Sequence, residues 1–295
     1  MGNRLGDHRM DDQTTLAASA IATKGDRAPP VLPAVVTQRV DVAPELMILR
    51  VAADGWELPD FVPGQYAVLA LPGSAPRCPG SDPEPPDPHK IIRRAYSIAS
   101  SSLARQYLEF YIALVRSGEL TPRLFALRVG DRVGLGRKIT GMFTLGQVPP
   151  DQHVVLIATG TGIAPYMSMI RTALTADSPR RFAVIHGARH SWDLGYHAEL
   201  MSLAHVCPKL TYIPVVSQPH EEPVPWGGKT GRCQDIWKSR LIDATWGFRV
   251  EPANTHVFLC GNPAMIEQMV ALLAEEGFHE HSRKSPGQIH TENYW

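Results

Sequence analysis

Two hydrophobic rhythms divide the chain. From Val31 to about Leu145 the apolar residues come in short β-rich or alternating runs, VVTQRVDV, LMILRVAA, YAVLALP, AYSIAS, YLEFYIALV and DRVGLG, bounded by Pro, Gly and Asp. Alternation with period two marks a strand with one buried face, and many short strands separated by turn residues predict a barrel or sandwich. After VPPDQ the runs become nearly continuous: HVVLIATG, RFAVIHGA, LTYIPVVS and HVFLCGN. Such runs suit strands buried on both faces of a parallel sheet. PYMSMIRTALTA, GYHAELMSLAHV and PAMIEQMVALLAEEGF lie between or after them and read as helices. Strands alternating with helices predict a doubly wound α/β unit.

The predicted architecture is α/β with two domains. A polar tail, 1–30, precedes an antiparallel β-barrel domain, 31–148, and a parallel-sheet domain, 149–295, joined near residues 146–152. The chain's 295 residues fit two domains of ordinary size. TPRLFAL, 121–127, predicts one short helix inside the barrel region. PGSAPRCPGSDPEPPDPH, 72–89, is too rich in proline for a central strand and reads as an extended insertion loop with no assigned role.

Composition narrows the classes. Lys and Arg number 29, as do Asp and Glu, so the net charge is zero and a global nucleic-acid binder is disfavoured. The charge is uneven, however. Ten basic residues against three acidic ones lie between Lys90 and Lys138, a local excess that could steer an acidic partner. The four cysteines, at 78, 207, 233 and 260, lack the short spacing of a zinc or iron–sulfur site, so no metal is expected. No apolar run is long enough to span a bilayer, and the N-terminal segment does not read as a signal peptide, so a cytoplasmic protein is expected.

Three stretches carry candidate chemistry. In RRAYSIAS, 93–100, Arg94 and Tyr96 fall on one face of a strand, an arrangement better suited to a flat anionic ligand than to a core. ATGTGIAP, 158–165, is a Gly-rich turn between a strand and a helix, where backbone N–H groups and the helix dipole can meet a phosphate. Its spacing is not GxGxxG, and a turn needed only for packing is the alternative. FLCGNPAM, 258–265, repeats the strand-to-helix geometry, with Asn262 placed to cap and Pro263 suited to a first helical turn. Cys260, where that strand meets its turn, also fits a small buried hydrophobe. Arg189, Lys229 and Arg232 lie just past strand ends and could clamp a phosphate or be surface charges.

Taken together, FVPGQYAVLALP, RAYSIAS, SGELTPRLFALRVGD, TGTGIAPYMSMIR, FLCGNPAM and the ending HTENYW resemble, in order, the motifs of the bacterial-type ferredoxin (flavodoxin)–NADP reductase family. The resemblance runs from about Val31 to Trp295. It implies an antiparallel Greek-key β-barrel FAD domain followed by a doubly wound NADP domain. It also implies a flavoprotein oxidoreductase that moves electrons between NADPH and ferredoxin or flavodoxin through FAD, as a cytoplasmic enzyme and a monomer. No nucleic acid or membrane is expected as partner.

The resemblance also implies roles for residues. Arg94 would hold the FAD pyrophosphate, Tyr96 would pack on the isoalloxazine, and Ala95, Gly118, Leu120 and Thr121 would complete the FAD contacts. Ser97 would reach the flavin where hydride arrives, which requires the strand to end or twist there. Thr159, Gly160, Thr161, Gly162 and Pro165 would shape the NADP pyrophosphate site, with Arg189, Arg232 and Lys229 for the 2′-phosphate. Cys260, Gly261, Asn262 and Met265 would line the nicotinamide end, Tyr294 would stack on the flavin opposite Tyr96, and Trp295 would lie toward the adenine. Ser97, Cys260, Glu292 and Tyr294 are the expected catalytic group, and Tyr294 would act as a gate that nicotinamide displaces. The basic 90–138 stretch would receive the acidic carrier.

One departure stands out. In VVSQPH the position after the serine is Gln218, where bacterial members often carry arginine. An NADH-dependent flavin or oxygenase reductase therefore stays open, as do an electron-transfer subunit of a larger complex and a non-catalytic flavin redox sensor.

Overall fold

The computed structural model describes residues 31–293 except 86 and 88. The tail 1–30 and the expected gate Tyr294 and its neighbour Trp295 lie outside the described residues. Six strands form an antiparallel sheet: β1 (Val31–Ala43), β2 (Leu46–Ala53), β3 (Tyr66–Pro72), β4 (Ile91–Ser97), β5 (Leu108–Ala113) and β6 (Arg132–Gly136). Their order is β4-β3-β6-β1-β2-β5. A bridge from Ile98 to Phe110 joins the two edges and curls the sheet into a barrel. Period two is plain in β2, where Met47, Leu49 and Val51 point inward. They meet Leu69, Ile92, Phe110 and Leu135 in the barrel core. The short helix α1 (Thr121–Leu124) occupies the start of the stretch predicted to be helical.

The second sheet is parallel, in the order β10-β9-β8-β7-β11-β12. Its strands are β7 (His153–Thr159), β8 (Phe182–Ala188), β9 (Leu210–Val216), β10 (Lys229–Thr230), β11 (Thr255–Gly261) and β12 (Ile289–Asn293). The central strands β7, β8 and β11 are buried along nearly their whole length because both faces are covered, as their uninterrupted runs predicted. Helices α2 (Ala164–Ala173) and α3 (His197–Val206) cover one face, around Leu156, Val184 and Phe258. Helices α4 (Cys233–Lys238), α5 (Leu241–Trp246) and α6 (Pro263–Glu275) cover the other, around Ile157, Ile185 and Leu259. The first of these layers also takes in Ala99 and Tyr111 from the barrel region, so the apolar packing runs through the seam between the sheets. No described helix is long and apolar enough to cross a membrane.

Four elements escaped the hydrophobic pattern. β10 has two residues and β12 five, and α4 and α5 have six each, too short to show a period. The ending read as an aromatic tail thus contributes an edge strand, pairing Cys260 of β11 with Glu292 of β12.

Candidate active site

The barrel's edges make the first groove. β4 runs toward the Ile98–Phe110 bridge and β5 runs away from it. The two strands therefore diverge behind it, leaving a groove of about 290 Å3 between Arg94–Ser97 and Tyr111–Ala113. The turn Gly118–Thr121 closes one wall. That turn is fixed locally: the Thr121 hydroxyl donates to the Val115 carbonyl at 3.1 Å and accepts from its N–H at 3.0 Å. A Cβ on Gly118 would crowd the same carbonyl at 3.0 Å. The Thr121 hydroxyl is therefore engaged in folding the turn. Tyr96 sits edge-on to Phe110, with centroids 6.4 Å apart, which sets its ring across the groove.

The groove carries charge at one end and a hydroxyl at the other. Arg94 pairs with Glu119 at 2.8 Å, and Lys90 pairs with the same carboxylate. The hydrogen bond from Lys90 and its charge, with those of Arg94, hold the Glu119 carboxyl below its usual range. Ser97 is buried, and its Oγ donates to Glu292 Oε2 at 3.0 Å. β4 ends at Ser97, which allows a residue out of step with Arg94 and Tyr96 to join the groove they line. Glu292 arrives from β12, and Cys260 is its register partner on β11. Three of the four expected catalytic residues thus come together from two sheets; the fourth, Tyr294, is outside the described residues.

The second cleft, about 680 Å3, follows the carboxyl ends of the parallel strands. Thr159, Gly187, Arg189, Ser217 and Gly261 line it from the strand ends, and Arg232, Asn262 and Met265 from the helix starts. Gly160 has φ +54° with open space where a Cβ would be, so its backbone is approachable by a ligand. Gly162 differs. A Cβ there would fall 2.3 Å from the Cys260 carbonyl, so this glycine serves packing between the two turns. Thr159 Oγ1 accepts from the Asn262 N–H at 2.8 Å, and Asn262 Oδ1 accepts from Ala264 N at 2.9 Å, capping α6. The two strand-to-helix turns are thereby locked to each other. Ala113 and Thr161 line both cavities, so the grooves meet there.

Residues 156–271 match the model of the oxidoreductase NAD-binding domain. The chain is 33% identical over 207 residues to a flavodoxin/ferredoxin–NADP reductase of Buchnera aphidicola subsp. Baizongia pistaciae, covering 70% of this chain and 82% of the relative. It is 34% identical over 206 residues to the enzyme of that name from Escherichia coli K12, covering 69% and 81%. The chain belongs to the flavodoxin/ferredoxin–NADP reductase family. Among solved structures, a ferredoxin NADP+ reductase from Neisseria gonorrhoeae with bound FAD and NADP shares the fold, with TM-score 0.74 at 22% identity over 90% of this chain and 99% of that one.

The remaining expected residues of this reductase divide by position. Arg189 and Arg232 both line the second cleft, are exposed, and form no ion pair among the described residues. Lys229 is exposed on β10 and does not line the cleft. Pro165 is buried in the first turn of α2 and lines neither cavity, while its neighbour Ala164 lines the first groove. Cys260 is fully buried. With its amide oriented to donate, Gln218 reaches both Glu221 oxygens, at 2.7 and 2.8 Å, and so turns to its own loop. No cluster among the described residues could hold a metal ion.

Sequence reasoning missed Glu119, whose carboxylate sits on the cations of the first groove, and Gly187, where a Cβ would meet Cys233 Sγ at 2.8 Å. The acid in SGELTPRL was the available signal for the first. For Gly187 nothing short of the packing reveals it.

Proposed function

We propose that this reductase carries electrons between NADPH and a one-electron carrier, ferredoxin or flavodoxin, through bound FAD. One observation supports the reading above the others: the two grooves meet at Ala113 and Thr161, beside the Ser97–Glu292 hydrogen bond of 3.0 Å. FAD, when bound, supplies the ability to take two electrons from a hydride and release them singly.

The chain's residues bind and orient. Tyr96 offers a ring face to the flavin, and Arg94, with Lys90, offers charge to its diphosphate. Gly160 and the start of α2 receive the NADPH diphosphate, where the helix dipole favours an anion. Arg189 and Arg232 are the cations for the 2′-phosphate, Gln218 being held by Glu221. Ser97 and Glu292 fix the polar corner where the two ligands meet, and hold a proton between their oxygens there. Tyr294 remains the candidate gate on the resemblance alone.

The carrier reading narrows. Among the described residues, Lys90, Arg94, Arg105, Arg116, Arg123 and Arg132 of this basic stretch are already paired with acids. Arg128, Arg137 and Lys138 are exposed and outside the ion pairs of the described residues, and we assign them to the acidic carrier. Carrier reduction then weakens with added salt, since the Debye length is only ~8 Å near physiological ionic strength. A monomer in the cytoplasm completes the reading.

Anaerobic stopped-flow reduction by NADPH and by NADH tests it. Fast bleaching of the flavin with a strong NADPH preference is expected. Equal or faster reduction by NADH would move the activity to an NADH-dependent reductase on the same fold.

A further inference from the structure

The Pro-rich segment between β3 and β4 forms neither helix nor strand among its described residues, yet it is not a free loop. Its neck closes where Gly73 N donates to the Lys90 carbonyl at 2.7 Å. Cys78 N donates to Pro122 O at 2.9 Å and Asp82 N to Arg116 O at 3.1 Å, fastening it to the outside of the 115–123 turn. At its centre Glu84 Oε2 accepts from Arg77 Nη1 at 2.6 Å and from Arg123 Nη1 at 2.9 Å.

The two guanidiniums then reach carbonyls of that turn. Arg77 donates to Gly118 O and Arg116 O, each at 3.0 Å. Arg123 donates to Glu119 O and, from its other nitrogen, back to Gly73 O, each at 2.6 Å. Arg123 is only 1% exposed, and a cation so buried needs a counter-charge. Glu84 is the carboxylate with which it pairs.

The orientation matters for the groove. In a trans peptide the N–H points opposite to the C=O. Holding the carbonyls of Gly118 and Glu119 on the outside therefore turns the N–H groups of Glu119 and Leu120 the other way. Gly118–Thr121 is the wall of the first groove, beside Arg94. Successive N–H groups turned to one side make a concavity for an anion.

We propose that the 73–90 segment is a clamp that presets the diphosphate-binding turn of the FAD site, with Glu84 as its positioning residue. The proposal rests on the FAD reading above. Without the clamp the turn keeps its Thr121–Val115 bonds but loses the Arg77 bonds to Gly118 and Arg116 and the carboxylate that anchors Arg123, so the cofactor must finish orienting its N–H groups as it binds.

The test uses the full chain stripped of flavin, titrated with FAD and separately with riboflavin, which has no phosphate, by flavin fluorescence. Glu84→Gln removes the charge at the centre. Arg77→Ala removes the arm to Gly118 and Arg116 and leaves the Glu84–Arg123 pair intact. FAD affinity is expected to fall about tenfold or more in each, the equivalent of about 1.4 kcal/mol. Riboflavin affinity stays at the wild-type value, and the phosphorus NMR signals of bound FAD shift. FAD affinity equal to wild type in Arg77→Ala overturns the clamp. So does an equal loss of FAD and riboflavin affinity, which marks general loosening of the barrel. Should Glu84→Gln fail to fold, Arg77→Ala decides alone. A wild-type chain that does not bind FAD at all refutes the FAD reading itself, a result distinct from either variant outcome.

Discussion

Arg171 on α2 donates to Glu109 on β5 at 2.7 Å, across the seam between the two sheets. Glu109, 1% exposed, also accepts from Arg50 at 2.6 Å and from the Tyr196 hydroxyl at 2.9 Å. Arg171 in turn holds Glu199 with two bonds, at 2.7 and 2.6 Å, and the Ala99 carbonyl at 2.8 Å. β5 continues into Tyr111–Ala113, a wall of the first groove, and α2 follows the Gly160 turn of the second. One buried ion network therefore sets the distance between the grooves.

Glu109→Gln should cost about 1–3 kcal/mol of stability, the scale of a lost charged hydrogen bond. FAD affinity should hold while flavin reduction by NADPH slows about tenfold or more, because small misplacements of reacting groups are costly. The pH dependence has a definite sign. Burial alone would raise the Glu109 carboxyl, but the Arg171 charge and the bonds from Arg171, Arg50 and Tyr196 outweigh it and hold the group below its ordinary 4.5. That stability is present above pH 4.5 and lost as pH falls through the folded-state value. Melting curves across this range should therefore fall more steeply for the wild type than for the variant.

Ser97 and Glu292 should matter for transfer more than for binding. Ser97→Ala leaves Tyr96 and Arg94 in place, so FAD affinity is expected to change little. Loss of one preorganised hydrogen bond at the junction should slow anaerobic reduction by NADPH about 10- to 100-fold. A wild-type rate in Ser97→Ala would remove the serine from the chemistry.

Glu119 competes for the cations that the FAD diphosphate needs. It engages both Arg94 and Lys90, so the ligand must displace a carboxylate and then sit beside it. Glu119→Gln should tighten FAD binding about two- to fivefold, the modest scale of exposed ion pairs. Fluorescence titration at two salt concentrations reads the effect, and weaker binding in the variant would refute it.

Three buried histidines should make the fold acid-sensitive. Burial pushes His290 down to about 3, with His256 and His281 adding to the effect, and pushes His256 down to about 4, with His281 and Arg180 adding. His186 is also pushed down to about 4, by burial against an opposing contact with the Gly160 backbone. Each folded-state value lies below the ordinary 6.5, so the unfolded chain binds more protons between about 4 and 6.5. Stability should fall as pH drops through that window. His290 stacks on Phe258 with centroids 4.2 Å apart and lies on the strand that carries Glu292. His290→Phe should flatten the pH dependence of the melting temperature between about pH 7 and 5; an unchanged slope would count against the assignment.

The sequence by itself determined the strands and their class. Alternation in LMILRVAA became β2 residue for residue, and the continuous run HVVLIATG became the buried β7, because burial on one face or two is written directly into spacing. Arg94 and Tyr96 were legible as a pair because period-two alternation puts them on one strand face, whereas Ser97 falls out of step with them and entered only through the resemblance. Tertiary structure alone decided what depends on distant segments meeting. Glu109 sits in a run that reads as an ordinary strand, and only the docking of α2 on the outer face of β5 buries its charge and supplies Arg171. That position 162 has no room for a Cβ is likewise decided by packing, because the Cys260 carbonyl, far along the chain, takes that space. The Pro-rich segment has no periodicity to read. Its order comes from Glu84 meeting Arg123, an ion pair that exists only once the barrel has brought the two loops together.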